Sequence, residues 1–452
     1  MDTRTHLLII GGGPAGTQAA TTAAARGARV TLVEKDIVGG AAHLWDCIPS
    51  KTMAASALRH TSVRNAVKLG LVNDPGTVDT AVLASRIKDI TADINSNWVQ
   101  LLSSQGVALH EGSGRLIGSN KAVITGADGE ETTVTFDKAL LSTGSAPRVP
   151  DWAPVDGSRV LTTRHAYDLG EVPDHLVVIG SGVTGVEFVH IFESLGSKVS
   201  LVVSRQQILP HRDAEVAAVL EEDFIERGVK LVIGARAERI EVEGDSVVVS
   251  CDDGRVVRGS HALLAVGSVP LSDGLGLDEA GVEHEDGYII VDEYQRTSNP
   301  DIYAAGDVTG QMPLSSVASM QGRKIARHAM ELPVTPIDYS NVSEAIFTEP
   351  EIASVGLVEV AAAAQGRKVR TTKVPFASNA RSVLQHFTRG FVKVTTDPAT
   401  GVVLGGTIVG HRASELIGVI ALAVQADVTA STLVETLMVH PSMTEAISDA
   451  AE

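Results

Sequence analysis

Sulfur is nearly missing from this chain of 452 residues, which holds two cysteines, Cys47 and Cys251. Two cysteines cannot build a disulfide framework, and neither stands in a metal-ligand spacing. The 14 histidines are scattered without an HExxH pair, so no metal site is expected. Positive charge is also in deficit. Lys and Arg number 37 against 55 Asp and Glu, a formal charge of −18, and no basic tract occurs. That balance argues against a nucleic-acid partner, because no counterions would be released from a phosphate backbone. No apolar run approaches the roughly 18 residues of a membrane span. The early apolar stretch "HLLII" runs straight into glycines, as a strand does and a signal peptide does not. A cytoplasmic protein without membrane insertion is expected. Aromatic residues make up only 4% of the chain, but 44% apolar residues and 43 glycines describe an ordinary globular protein with many tight turns. At this length, two to four domains are expected.

What the chain does have is one unit written twice. In "HLLIIGGGPAGTQAATTAAARGARVTLVEK" a buried-type strand enters Gly11-x-Gly13-x-x-Gly16, an Ala-rich helix follows, and a second strand ends in Glu34. The first glycine makes a tight turn, the second lets backbone approach a pyrophosphate, and the third packs helix on strand. The helix N-terminus then offers free N–H groups and a positive dipole end to the phosphates. Glu34, 18 residues after Gly16, is placed to accept the ribose hydroxyls of an adenine nucleotide. The second copy, "HLVVIGSGVTGVEFVHIFESLGSKVSLVVSRQQILP", repeats the spacing with Gly180, Gly182 and Gly185. Here the acid is replaced by Val203, with Ser204 and Arg205 next. An acid would repel a 2′-phosphate, whereas Arg205 can pair with one. NADPH is expected at this second loop, with NADH admissible; the alternative for Arg205 is a solvated surface charge. Two nucleotide sites in one chain point to hydride passing between two cofactors.

Two further stretches echo each other. "KALLSTGSAPRVP" and "HALLAVGSVP" are short apolar strands that end in a glycine turn and then proline, and they read as closing strands of two equivalent domains. In "NPDIYAAGDVTG", Asp307 follows a strand and a glycine; its carboxylate suits a polyol, or else an Asx-turn. From about Asn341 the pattern changes to alternating strands around a Thr-Gly turn, "GFVKVTTDPATGVVLGGTIVGH", and then to amphipathic helices. That sequence predicts an α+β domain with an apolar surface available for pairing.

The ordered set of Gly11 to Gly16 with Glu34, "CIPSK", "TGSAPR", Gly180 to Glu187, "AAGD", "FTEPEIASVG", "LGGTIVGHRASELI" and "HPSMTE" resembles the pyridine nucleotide–disulfide oxidoreductases. These are the group of lipoamide dehydrogenase, glutathione reductase and mercuric reductase, and the resemblance covers nearly the whole chain. It implies an α/β fold with two Rossmann-like nucleotide-binding domains and a C-terminal α+β dimerisation domain. The implied boundaries are 1–150 for FAD, 151–270 for NAD(P), 271–340 completing the FAD domain, and 341–452 for dimerisation. FAD would lie on the first loop and against Asp307, and NAD(P)H on the second. Gly114, Thr143, Gly144, Ser315 and Gly267 would be further cofactor contacts. Lys51 and Glu187 would lie beside the flavin–nicotinamide contact, and His440 with Glu445 would reach across a homodimer as an acid–base pair.

One departure matters. The family carries Cys-x-x-x-x-Cys, here at positions 42 and 47, but position 42 is Ala42. The resemblance identifies the lost sulfur as the one that attacks a disulfide substrate and Cys47 as the one over the flavin. Disulfide reduction is therefore expected to be absent or minimal. A subset of the family, the NAD(P)H-dependent quinone reductases of actinobacteria, is similar in lacking the exchange cysteine and in carrying a Ser-Arg segment like Ser204-Arg205. Soluble transhydrogenases are also similar, and Trp45 matches a Trp in their loop, but they keep the other sulfur and lack a histidine at the place of His440. The expected activity is transfer from NAD(P)H through FAD to a quinone-type acceptor; transhydrogenation and a flavin-bearing scaffold are the alternatives. Lys51 would be a fixed cation against negative charge developing in the reaction. Cys47 would tune and shield the flavin, or be an inert packed thiol. His440 would protonate a reduced quinone with Glu445 fixing its tautomer, or the pair would only tie the dimer. Cys251 is expected to be structural, and His43 a solvated loop residue, the alternative being that it shapes substrate access beside the flavin.

Overall fold

The computed structural model describes residues 4–71 and 76–452. The chain forms two compact units, one built from residues 1–50, 82–148 and 267–337, the other from residues 51–81, 149–266 and 338–452.

The first unit is organised by a seven-stranded sheet in the order Ile302–Ala304, Lys138–Leu141, His6–Ile10, Arg29–Glu34, Ala108–Gly118, Lys121–Gly126, Glu131–Thr135. The first five are parallel and the last two close an antiparallel meander. Strands buried on both faces read as continuous apolar runs, and His6 to Ile10 are all buried. The helix Pro14–Ala24 owes its alanines to a tight crossing: Ala15, Ala19, Ala20 and Ala23 sit in one core cluster with Ile325, Ala326 and Ala329 of the helix Ser315–Ala329. The approach is so close that a Cβ on Gly322 would stand 2.1 Å from the carbonyl oxygen of Ala15. Gln321, next to it and fully buried, accepts the Gly306 N–H at 2.7 Å and so ties this helix to the turn bearing Asp307.

The second unit holds a five-stranded parallel sheet in the order Lys230–Ile233, Lys198–Val203, His175–Ile179, His261–Leu264, Val160–Thr162. A three-stranded antiparallel sheet, Ala237–Glu243, Ser246–Cys251 and Val256–Gly259, packs against it in the same core cluster. Cys251 is buried in that cluster, and burial pushes its thiol pKa up. The two stretches expected to close equivalent domains do so. Lys138–Leu141 lies directly beside His6–Ile10, and His261–Leu264 directly beside His175–Ile179.

Residues 344–410 supply the antiparallel sheet foreseen for the C-terminal region, in the order Glu344–Ile346, Glu351–Gly356, Val403–Gly410, Phe391–Thr396, Arg370–Pro375. The Thr-Gly turn joins two of its strands, with Asp397 accepting N–H groups from Ala399 and Thr400. Helices Ala413–Gln425 and Glu445–Ala451 cover the sheet with Ile417, Ile420 and Ile447 in the core. The chain is thus an α/β protein with two Rossmann-like sheets and a C-terminal α+β domain.

Candidate nucleotide and redox site

The two glycine loops have the same physical design. Gly11 and Gly180 adopt φ of +102° and +109°, where a side chain would be strained, and a Cβ on either would run into the backbone of the closing strand, at Ser142 O (2.3 Å) or Ala265 O (2.2 Å). Gly16 and Gly185 sit on the first turn of their helices, where a Cβ would lie 2.0 and 1.9 Å from the carbonyl oxygens of Gly11 and Gly180. The middle glycines differ. Gly13 and Gly182 are the N-caps of helices Pro14–Ala24 and Val183–Leu195, and a Cβ on either meets nothing within 4 Å. Open space at a helix N-terminus, flanked by two backbone contacts that admit no side chain, is the cradle a pyrophosphate needs. The residues present therefore fit a dinucleotide at each loop.

At the first loop Glu34 ends its strand, and its carboxylate accepts the Gly12 N–H at 2.6 Å and the Asp36 N–H at 2.9 Å. Burial raises its pKa against these hydrogen bonds. Each oxygen keeps a lone pair for a ribose hydroxyl. Asp307, in the single turn Gly306–Thr309, accepts from Ser145 Oγ at 2.7 Å. Thr143 Oγ1 donates to the Leu271 carbonyl at 2.6 Å, and Gly144 turns with φ of +75°. Gly114 lies in the strand Ala108–Gly118 against the Ile10 side chain. Gly267, at φ +95°, belongs to the first unit, where its carbonyl accepts from Arg148 N–H at 2.9 Å.

The loop with the lone active-site sulfur is a π-helical turn, Ala42–Asp46, closed by a hydrogen bond from Cys47 N–H to the Ala42 carbonyl at 3.1 Å. That closure brings the backbones of residues 42 and 47 together, and position 42 carries an alanine. Cys47 Sγ instead lies 3.2 Å from the hydroxyl of Ser315, the first residue of helix Ser315–Ala329. His43 departs from the solvated loop residue expected of it. It is half-buried in the π-turn with its ring against Gly39, and burial lowers its pKa.

The second unit contributes a different set. Lys51, on the first turn of helix Ile48–Asn65, donates to Glu187 Oε2 at 2.8 Å, and Phe347 N–H donates to Glu187 Oε1 at 2.9 Å. Both carboxylate oxygens of a residue only 5% exposed are thus engaged. The Lys51 ammonium also stands 4.9 Å over the Phe347 ring, an arrangement that holds a cation in place. Ser204 and Arg205 are exposed directly after the strand Lys198–Val203. His440 Nδ1 pairs with Glu445 Oε1 at 2.8 Å, and Glu445 Oε2 accepts Ser442 N–H at 2.8 Å. Those two bonds, the backbone one first, lower the Glu445 pKa and keep it a carboxylate. No hydrogen bond or ion pair among the described residues joins the His440–Glu445 pair to Lys51–Glu187.

Sequence reading missed Phe347 and Ser145. Both lie in stretches that carry the family resemblance, but their partners stand 160 and 162 residues away, beyond the reach of any local pattern.

Two sheets, each with its own dinucleotide cradle, define a flavoprotein oxidoreductase that uses FAD and NAD(P)H. Comparison with known proteins narrows this. Residues 5–322 match the family model "pyridine nucleotide-disulphide oxidoreductase" and residues 342–451 match that family's dimerisation domain. The chain belongs to this family. It is 43% identical to an NAD(P)H dehydrogenase (quinone) of Mycobacterium tuberculosis, over 99% of this chain and 93% of the relative. It is also 34% identical to a dihydrolipoyl dehydrogenase of Chlorobaculum tepidum, over 98% and 95%. The crystal structure of LpdA from M. tuberculosis superposes with a TM-score of 0.95 at 43% identity, covering 99% of each chain. The flavoprotein disulfide reductase RclA of Escherichia coli superposes with a TM-score of 0.88 at 25% identity, covering 99% of each chain. Among the described residues no helix is long and apolar enough to cross a membrane.

The glycine geometry separates folding from binding. Gly16→Ala forces its methyl onto the Gly11 carbonyl and is expected to destabilise the first unit by about 1–3 kcal/mol. Gly13→Ala has room to fold and is expected to keep its unfolding temperature while weakening FAD binding about tenfold or more, through its methyl in the pyrophosphate space. Thermal unfolding of the apoprotein and FAD titration by fluorescence quenching measure the two effects separately.

Proposed function

We propose that this protein is a cytoplasmic, homodimeric NAD(P)H:quinone oxidoreductase that works without a redox-active disulfide. The observation that carries the proposal is the alanine at position 42 of a π-turn in which Cys47 N–H bonds the Ala42 carbonyl and Cys47 Sγ lies 3.2 Å from the Ser315 hydroxyl. The relatives named dihydrolipoyl dehydrogenase share the fold, but thiol–disulfide exchange needs a second sulfur to attack and resolve a mixed disulfide. The M. tuberculosis relative named a quinone dehydrogenase supports the same direction.

Bound FAD would supply the hydride and electron-transfer chemistry between NAD(P)H and a quinone. Gly11, Gly13 and Gly16 would hold its pyrophosphate, Glu34 its ribose hydroxyls and Asp307 its polyol. Gly180, Gly182 and Gly185 hold the nicotinamide nucleotide, and Arg205, exposed and without an ion pair among the described residues, takes a 2′-phosphate. Lys51, anchored by Glu187 and Phe347, provides a fixed positive charge that needs no reorganisation as negative charge develops. Cys47, its Sγ 3.2 Å from the Ser315 hydroxyl, shields the cofactor face. Glu445 holds one tautomer of His440, so that Nε2 is left to hand a proton to the reduced acceptor. His440 and the neighbouring Leu437 and Val439 are 74%, 99% and 76% exposed on the single chain, and a second protomer on the dimerisation domain would cover them.

An acceptor panel tests the proposal. With NADPH or NADH as donor, benzoquinones and naphthoquinones should turn over at least about a hundredfold faster than lipoamide, since the exchange thiolate is missing. Comparable lipoamide turnover would sink the reading, and reduction of a thionicotinamide nucleotide at the quinone rate would favour transhydrogenation. Lys51→Met should slow anaerobic flavin bleaching by NADPH about 100- to 1,000-fold at saturating nucleotide, the range seen when one preorganised charge-stabilising donor is removed. An unchanged rate in stopped flow would show that Lys51 only supports Glu187.

A further inference from the structure

The loop that leaves the strand Lys198–Val203 carries Ser204 and Arg205, and it is fastened along its whole length. The Arg205 carbonyl accepts Gly234 N–H at 3.0 Å, and Ile208 N–H donates to Glu221 at 2.9 Å. Leu209, held at φ of +47°, donates its N–H at 2.8 Å to the carbonyl of Ser181 inside the second glycine loop. The Gln207 amide donates to the Arg212 carbonyl at 3.1 Å.

The last fastening leaves the nucleotide domain. One guanidinium nitrogen of Arg212 donates to Glu344 Oε1 at 2.6 Å and to Ser354 Oγ at 2.9 Å. Glu344 and Ser354 face each other across the first two strands of the C-terminal sheet, which places carboxylate and hydroxyl side by side for one donor. That sheet lies within residues 342–451, the dimerisation domain. Immediately after Arg212, Lys393 reaches from the middle of the same sheet to Asp213, Glu215 and Glu359, and it is only 6% exposed. Lys373 adds a 2.8 Å bond to Glu215. A charge pair this shielded keeps its geometry better than an exposed one. Arg205 is the contrast: its side chain is exposed and makes no ion pair or hydrogen bond among the described residues. A free guanidinium sits on a loop whose far end is locked.

We infer that Arg212 is a positioning residue for nucleotide choice, holding the 204–212 loop to the dimerisation-domain sheet so that Arg205 stands where an adenosine 2′-phosphate arrives. The inference rests on the reading of Ser204-Arg205 as the 2′-phosphate site. It goes beyond that reading by making the C-terminal domain part of the specificity apparatus. Without the tether, Arg205 would still carry its charge but would spend conformational freedom on each binding event. NADPH would lose affinity, whereas NADH, which has no 2′-phosphate, would lose little.

The measurement is the ratio of kcat/KM for NADPH to that for NADH, with a quinone acceptor and the FAD-loaded enzyme, in a double-mutant cycle. Arg205→Ala should lower the ratio about tenfold, the scale of one charge-assisted phosphate contact. Arg212→Met should lower it about three- to tenfold through the KM for NADPH, with kcat at saturating NADPH unchanged. In the Arg205→Ala background, Arg212→Met should change the ratio less than about twofold, because both act through one guanidinium. Arg212→Lys should recover only part of the loss, since one ammonium does not reproduce a guanidinium's geometry. Glu344→Gln should repeat the shift at smaller amplitude and serves if Arg212→Met does not fold. An unchanged ratio in both Arg212→Met and Glu344→Gln, or additive losses in the double mutant, overturns the inference and leaves the nucleotide site standing. An unchanged ratio in Arg205→Ala overturns the 2′-phosphate reading itself, and the tether with it.

Discussion

Each nucleotide cradle depends on one backbone-on-backbone contact, the Cα of the third glycine against the carbonyl of the first. The spaces left for a Cβ there are 2.0 Å in the first unit and 1.9 Å in the second, far inside any van der Waals distance. This contact lets a helix begin almost on top of the strand that precedes it. It therefore aims the helix's free N–H groups at the open space beside the middle glycine. The rest follows from that placement. The closing strands at Ser142 and Ala265 complete the two floors. Glu34 stands at the end of the next strand in one unit and Arg205 just past it in the other, so the two cradles share one geometry and differ at the strand end.

A second constraint decides where electrons go. The π-turn closes residue 47 onto residue 42, and what it brings together is set by side-chain chemistry alone. With a thiol at both ends it would form a redox couple. With Ala42 at one end, the sulfur of Cys47 lies 3.2 Å from the Ser315 hydroxyl, and position 42 offers it no second sulfur. In the proposed function the loop is kept without the relay. Lys51 is fixed by a carboxylate whose other oxygen is occupied by the Phe347 N–H.

Much of this was legible in the sequence because the signals were local. The glycine spacings, the strand-end acid and its absence in the second copy, and the missing cysteine at Ala42 are each read within a single stretch of about 25 residues or fewer. The two closing strands were legible for the same reason, as apolar runs ended by a glycine turn and proline. What escaped were contacts between distant segments. Nothing near Phe347 announces that its N–H will serve Glu187, and nothing near Arg212 announces Glu344 and Ser354. Gly322 escaped too, since a glycine within a helical stretch has no local sign of the Ala15 carbonyl it must clear. His43 was misjudged because a polar residue between glycines and a tryptophan reads as a loop, and the π-turn that half-buries it has no sequence period.

Counting electrons under strict exclusion of oxygen tests the direct path from nicotinamide through FAD to the acceptor most plainly. Titration with dithionite, followed by flavin absorbance, should reach full reduction at about one two-electron equivalent per FAD, because the cofactor is the only group that stores them. An endpoint near two equivalents per FAD would mean that a protein dithiol shares the load, and would contradict the absence of a relay at Cys47.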